Sequence, residues 1–288
     1  MSGDRAFLLR AYRVCTAWEG WLRARRMTSG RGLVEMFVGY DTGHDNSGRL
    51  SDMKYKGNYG DSAIGAGTFL PDGEITPILC VDMNANFYAT ERALADMAKS
   101  LGLDEEAAQW RARAREVKQA LMKHCFDPED VFFYDADKHG NLRRYRSSTI
   151  LHLFLEGVLD PAEDSELIGE ILSRHVLNPE EFWTAYPFPS MAVNDPSCAG
   201  HTDRNCWGYF SQALIALRCT RWMDRYGLSR EFDHLCAQWV RAWTQHFAEV
   251  PLGQELDPFT GVPSPSSAWY SSCMLFYQYA ARRIGMVD

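Results

Sequence analysis

Three times along this chain a helical stretch is stopped by glycine and restarted within a few residues by a helix-starting side chain. Gly102 precedes Asp104, Gly157 precedes Asp160-Pro161, and Gly227 precedes Ser229. Glycine ends a helix cheaply because it enters the left-handed region without a Cβ penalty, while Asp and Ser accept hydrogen bonds from the exposed N–H groups of the next helix. Proline suits the first helical position, where no N–H is needed. A chain punctuated in this way builds helical hairpins, and the expected fold class is all-α.

Apolar periodicity fills in the rest. Met83, Phe87, Thr90, Leu94, Ala98 and Leu101 recur every three or four residues, and Ala107, Trp110, Ala114, Val117 and Leu121 form a second stripe. About eight helices are expected, near 6–28, 82–101, 105–124, 147–156, 162–175, 207–226, 229–247 and 268–284. A small β-hairpin is expected at 131–145, where Val131-Phe132-Phe133-Tyr134 meets the turn residues His139-Gly140-Asn141. If successive helices run up and down, the tight junctions fall at one end. The long connections at 29–81, 125–146, 176–206 and 248–267 then all fall at the other. Long connections in compact folds usually carry function, so that end is the expected active face.

Composition removes several classes of function. The 288 residues, expected as one domain over 1–288, are 46% hydrophobic, enough for a buried core, so disorder is excluded. A formal charge of −8 leaves no basic excess to neutralise phosphates, which argues against a nucleic-acid partner. No apolar run approaches the length of a membrane span, and Arg10 and Arg13 interrupt the apolar run near the start, unlike an export signal. The eight cysteines show no CxxC spacing, so neither zinc nor another metal or cofactor is expected. Several fall at apolar helical positions, which suits free thiols in a cytoplasmic protein. GxSxG, HExxH, P-loop and GxGxxG motifs are all missing.

The long connections hold the polar residues of interest. The first contains Gly39-Tyr40-Asp41-Thr42-Gly43-His44-Asp45-Asn46-Ser47-Gly48-Arg49, and the last Gly253-Gln254-Glu255-Leu256-Asp257-Pro258-Phe259-Thr260-Gly261. Taken singly, each reads as an ordinary loop of Asx turns or an Asp-Pro turn. Placed on one face, they offer two carboxyl groups. Glycosidic cleavage needs one protonated group to assist departure and one ionised group to activate water. Trp183, Tyr186, Phe188, Trp207 and Trp269 gather on the same connections, each fit either for packing or for a sugar face.

At these residues the sequence resembles glycoside hydrolase family 63 and the related mannosylglycerate-hydrolase-like and trehalase clan. Gly43 to Arg49 is similar to the G-x-D-N-S-P-R stretch of that family, with Gly48 in place of its proline. Glu255 to Gly261 resembles its E-x-x-P-x-T-G segment, and Ser267-Ala268-Trp269 its S-W-T/S-A segment with altered order. Val81-Asp82-Met83-Asn84 to Tyr88 looks like its V-D-L-N-x-x-x-Y helix opening. Tyr186 to Ser190 and Asn194-Asp195-Pro196 match its proline-rich loop, and Asn205-Cys206-Trp207-Gly208 its sugar-binding turn, with Tyr209 where proline is usual.

The resemblance implies an (α/α)6 toroid and cleavage with inversion, Asp45 being the general acid and Glu255 the general base. A desolvated pocket shared with another carboxylate would keep Asp45 protonated. Tyr40, Asp41, Asn46, Asp82, Asn84, Trp207, Gly208 and Trp269 are candidates for contact with a carbohydrate substrate, although Asp82 equally suits helix capping. The family toroid has twelve helices and eight are read here, so the toroid is expected to be incomplete at its N-terminal side. Either the chain is a fragment, or a homo-oligomeric partner or an unusual closure covers the open apolar edge. Two rival functions remain at this stage: a non-catalytic glycan-binding scaffold, and a sugar epimerase or isomerase with histidine proton carriers.

Overall fold

The computed structural model describes residues 3–37, 39–44, 47–50, 77–198, 207–264 and 270–287. They fold as two compact units: Met1–Gly43, Met53–Arg144 and Glu156–Val158 form the first, and His44–Asp52, Tyr145–Leu155 and Leu159–Asp288 the second. The structure is mostly α, with eight α-helices among the described residues.

The first unit is built on α1 (Arg5–Arg26), α2 (Val81–Leu101) and α3 (Asp104–His124). Asp4 caps α1 by accepting the Phe7 N–H at 2.9 Å. Gly102 closes α2 at φ 78°, and the N–H of Leu103 reaches back to Ala98. Asp104 is the first residue of α3 and Leu103 its N-cap. The acid expected to cap instead contributes its charge, with Glu105 and Glu106, to the positive end of the helix dipole. Leu94, Ala98 and Leu101 of α2 pack with Tyr12 of α1 and Trp110 of α3 in one core. Within it the Tyr12 hydroxyl accepts the Trp110 indole N–H at 2.8 Å and meets Glu106 at 2.5 Å, tying α1 to α3. The other face of α1 presents Phe7, Val14, Trp18 and Trp21 to solvent, the two indoles stacked at 5.1 Å.

A four-stranded antiparallel sheet joins the first two long connections. Its order is β1 (Glu35–Met36), β2 (Ile78–Leu79), β5 (Asp135–Asp137), β6 (Leu142–Arg143). The hairpin expected at 131–145 is β5–β6, turning at Gly140 with φ 91°. Phe132-Phe133 is a separate strand, β4, which pairs back to β3 (Phe126–Asp127).

In the second unit, Ser147 caps a 3-10 turn (Ser148–Ile150) that runs into α4 (Leu151–Leu155). Asp160 caps the turn after Pro161 by accepting the N–H groups of Ala162 and Glu163, and α5 (Ser165–Ile171) follows, widening into a π-helix at Leu172–Val176. The helix expected at 207–226 is shorter. Ser211-Gln212 forms strand β7, paired with β8 (Glu255–Leu256), and only Ala213–Cys219 is α-helical, as α6. The strand pairing draws the backbone of 211–212 away from helix geometry, which apolar periodicity cannot register. α7 (Ser229–Gln245) and α8 (Ser271–Arg283) complete the unit around buried Trp222, Trp239, Trp243 and Phe276.

Candidate active site

β7–β8 is the point where the third and fourth long connections meet. Gln212 pairs with Glu255 and Ser211 with Leu256, and the Ala213 N–H donates to Gln254 at 2.9 Å. From the far side, the Ser264 N–H donates to the Glu255 carbonyl at 2.9 Å. Glu255 is 2% exposed, so the strand carries its carboxyl group into the interior. The Cys273 thiol on α8 is pushed up to about 11 by burial, with the Glu255 charge adding to the rise.

The remainder of the fourth connection is a tight turn pressed on the third. Asp257 accepts the N–H groups of Phe259 and Thr260 at 3.0 and 2.8 Å, the Asp-Pro turn foreseen from sequence. Burial and then the neighbouring Asp257 charge push the Tyr209 hydroxyl up to about 12. Gly261 sits at φ 73° directly over the Tyr186 ring, and the Tyr186 N–H donates to Pro258 at 2.9 Å. Two indoles of α7 hold both connections from beneath. Trp239 donates to the Pro187 carbonyl at 2.7 Å and Trp243 to the Gly253 carbonyl at 2.8 Å.

The first long connection reaches the same unit through His44 and Ser47. The His44 ring lies parallel to the Trp207 indole with centroids 3.9 Å apart, and the Ser47 hydroxyl lies 3.9 Å from the Met191 sulfur. Ser47 closes a turn onto the His44 carbonyl at 3.0 Å. Asp45 and Asn46, between them in sequence, lie outside the described residues, as does Trp269. Gly208, next to Trp207, accepts the Met191 N–H at 2.9 Å. Glu255, Trp207, Gly208 and the residues flanking Asp45 thus all belong to the second unit.

The remaining candidates belong to the first unit and are hydrogen-bonded within the protein. Asp41 takes Arg26 through both oxygens, at 2.8 and 3.2 Å, and accepts the Phe37 N–H. Tyr40 lies in the 3-10 helix Gly39–Thr42. Asn84 bonds the backbone of Val34 in both directions, at 2.7 and 2.9 Å, and donates to Cys80 at 2.8 Å, so it splices the entrance of β1 to α2. Asp82 is buried in the first turn of α2 and accepts the Met83 N–H. Capping of α2 falls elsewhere, to Asp135 of β5, which accepts the Val81 N–H at 2.9 Å. Cys80, Asp82 and Asp135 bring their ligand-type atoms within 4.8 Å of one another, the one grouping among the described residues with the donor set for a cation. Both carboxylates there already serve backbone N–H groups.

Sequence reasoning left out Gln212, Asp135, His152 and Arg218. Gln212 and Asp135 owe their places to strand pairings too short to leave a pattern. His152 and Arg218 sit on helices where a lone histidine or arginine reads as a surface residue.

The same fold recurs in solved structures. A GH63 mannosylglycerate hydrolase from Thermus thermophilus, solved with glucose, superposes with TM-score 0.71 at 16% identity over 96% of this chain and 73% of its own. An uncharacterised conserved protein of the same organism gives TM-score 0.68 at 16% identity, over 96% of this chain and 71% of its own. A neutral trehalase of Saccharomyces cerevisiae gives 0.59 at 17% identity, over 72% and 38%. The expected class, an α/α toroid short of its full helix complement with a small hairpin, agrees with these likenesses. The model of the mannosylglycerate hydrolase MGH1-like glycoside hydrolase domain matches residues 1–208, which hold the first long connection and stop short of the Glu255 segment. This chain belongs to the mannosylglycerate hydrolase MGH1-like glycoside hydrolase family.

Proposed function

We propose that the chain is an inverting glycoside hydrolase acting on an α-linked glucoside, mannoside or short oligosaccharide, with Asp45 as general acid and Glu255 as general base. The observation that carries this reading is the burial of Glu255 at the clasp of two long connections, in the same compact unit as the residues flanking Asp45. Asp45 protonates the departing oxygen, and Glu255 deprotonates a water on the opposite face of the sugar. Inversion calls for carboxyl groups about 6.5–9.5 Å apart, leaving room for that water. Tyr40, Asn46, Trp207, Gly208 and Trp269 are the proposed sugar contacts. The other candidates for sugar contact, Asp41, Asp82 and Asn84, are engaged within the first unit by the bonds described above. Residues 1–288 work as one catalytic domain in this reading, and no metal or cofactor takes part.

The proposal assigns a cytoplasmic location, in keeping with the seven cysteines among the described residues being free, six of them buried. No helix among the described residues is long and apolar enough to cross a membrane.

The test is hydrolysis of a panel of α-glucosides and α-mannosides, mannosylglycerate among them, with product anomers followed by NMR. The expected first product is the β-anomer, and Asp45→Asn and Glu255→Gln each lose on the order of 10²–10⁴ in kcat. Undiminished turnover in both variants would remove the site assignment, and an α-anomeric product would remove inversion. Sugar binding without turnover in the wild type would favour the glycan-binding scaffold.

A further inference from the structure

We propose that Glu19 of α1 and Glu91 of α2 hold one proton between them, and that this proton is the latch that keeps α1 docked on α2. Glu91 stands in the buried stripe of α2, one turn from Phe87 and one from Leu94, where an apolar side chain is the rule. It is 0% exposed, and Glu19, facing it from α1, is 1% exposed. Carboxyl groups at such positions are tolerated only when hydrogen bonds and opposite charge meet them.

The partners can be followed oxygen by oxygen. Arg23 Nε donates to Glu19 Oε1 and Arg23 Nη2 to Glu91 Oε1, so one guanidinium bridges the two acids. Phe87 of α2 covers that guanidinium, with its ring centre 5.4 Å from Cζ. Arg113 of α3, a half-exposed side chain, lies 3.4 Å from Glu19 Oε2. Glu91 Oε2 is buried and meets no donor among the described residues. The two carboxyl groups are within hydrogen-bond reach of each other. Two ionised carboxylates offer only acceptors and repel at that range. A single proton changes both facts, because it turns one oxygen into an O–H donor and removes one of two like charges. Burial acts in the same direction and raises the Glu91 carboxyl to about 7. The titration belongs to the pair.

What the proton controls follows from where the pair sits. Glu19 and Arg23 belong to α1 and Glu91 to α2, so the contact spans the interface of the two helices. When α1 lifts, Glu91 regains water and its ordinary carboxylate value. The docked state therefore favours the proton and the open state releases it. Docking is strongest in acid and weakens as pH climbs through 7. Arg26, three residues beyond Arg23, holds both oxygens of Asp41 in the turn Gly39–Thr42. The latch thus also sets how firmly the first long connection is anchored at that end.

Hydrogen exchange of the full chain, read by mass spectrometry between about pH 5.5 and 8.5 and corrected for intrinsic exchange rates, tests the latch. Protection over Arg5–Arg26 is expected to fall about 30-fold across that range, the figure for one carboxyl group that titrates at 4.5 when open and about 7 when docked. Protection of α7, in the other unit, should change less than about 3-fold. Exchange over Gly39–Thr42 should follow that of α1, and its independence of pH would remove the anchoring role. Glu91→Gln places an amide donor where the acid carried its proton, so α1 should lose its pH dependence and keep the protection seen in acid. Infrared difference spectra of the wild type should show a protonated carboxyl band that disappears near pH 7 and is missing from Glu91→Gln. Either of two results would overturn the proposal. One is a fall over α1 that matches α7 or survives in Glu91→Gln. The other is a wild type with no carboxyl band titrating above about pH 6, a result that needs no variant to fold.

Discussion

Gly261 is the position where a single added methyl group tests most directly how the fourth connection is closed. Its φ of 73° is one that side-chain-bearing residues adopt at a cost of about 1–2 kcal/mol. A Cβ built there would stand 2.6 and 2.7 Å from Cε1 and Cε2 of Tyr186, and nearer still to Cζ. The ring cannot retreat easily. Tyr186 is buried, its N–H donates to Pro258, and its carbonyl accepts the hydroxyls of Ser211 and Thr184. Overpacking of this kind costs a further 1–3 kcal/mol or so. Gly261→Ala is therefore expected to lose about 3 kcal/mol, which lowers Tm by roughly 5–10 °C for a fold of this size.

Chemical denaturation of Gly261→Ala with and without Tyr186→Ala separates the two contributions. With the ring removed, the cost of the alanine should fall to the backbone strain alone, about 1 kcal/mol, leaving a coupling energy of similar or larger size. Stability of Gly261→Ala within about 0.5 kcal/mol of wild type, or an equal cost in both backgrounds, would refute the argument. Glu255 heads the same segment, so under its proposed role kcat should fall in Gly261→Ala and recover partly in the double variant.

Other expectations follow from the first unit. Arg23 of α1 bridges the buried carboxylates of Glu19 and Glu91. Burial raises the Glu91 carboxyl to about 7 against the pull of Arg23, and Glu19 adds to the rise. A folded-state value above the unfolded one favours the protonated form, so this contribution is complete below about pH 4.5 and disappears as pH climbs through 7. Denaturation midpoints of the wild type should therefore fall over that window by up to about 3 kcal/mol, and Glu91→Gln should flatten the slope; an unchanged slope would contradict the linkage. Tyr12→Phe leaves the buried Trp110 N–H without its acceptor, and a loss of about 1–3 kcal/mol in denaturant titration is expected. A change below about 0.5 kcal/mol would mean that the indole finds another partner.

Helix endings were legible in the sequence because they rest on single residues with local chemistry. Gly102, Gly157 and Gly227 all take positive φ. Starts were less sharp: Asp104 and Ser229 lie one residue inside their helices, with leucines at the caps, since an acid or serine is comfortable at either position of the first turn. The short strands were invisible because their partners are distant. Glu35 meets Leu79, and Ser211 meets Leu256, in runs of two residues that leave no alternation to read. At the site, the fourth connection could be recognised from the order of Glu255, Pro258 and Gly261. The His44–Trp207 stack could not, because neither ring belongs to a local pattern and only the folded chain sets them face to face. Asn84 shows the converse case. It stands in a recognisable helix opening, yet its amide is spent on Val34 and Cys80 backbone.

The paired indoles of α7 constrain how such a fold can diversify. Trp239 and Trp243 are one helical turn apart and grip one connection each, at Pro187 and Gly253. A shift of that helix drags both grips together, so the two connections cannot be re-aimed separately from below. Changes in length or sequence are expected to disturb the β7–β8 clasp least in the stretches beyond these two grips.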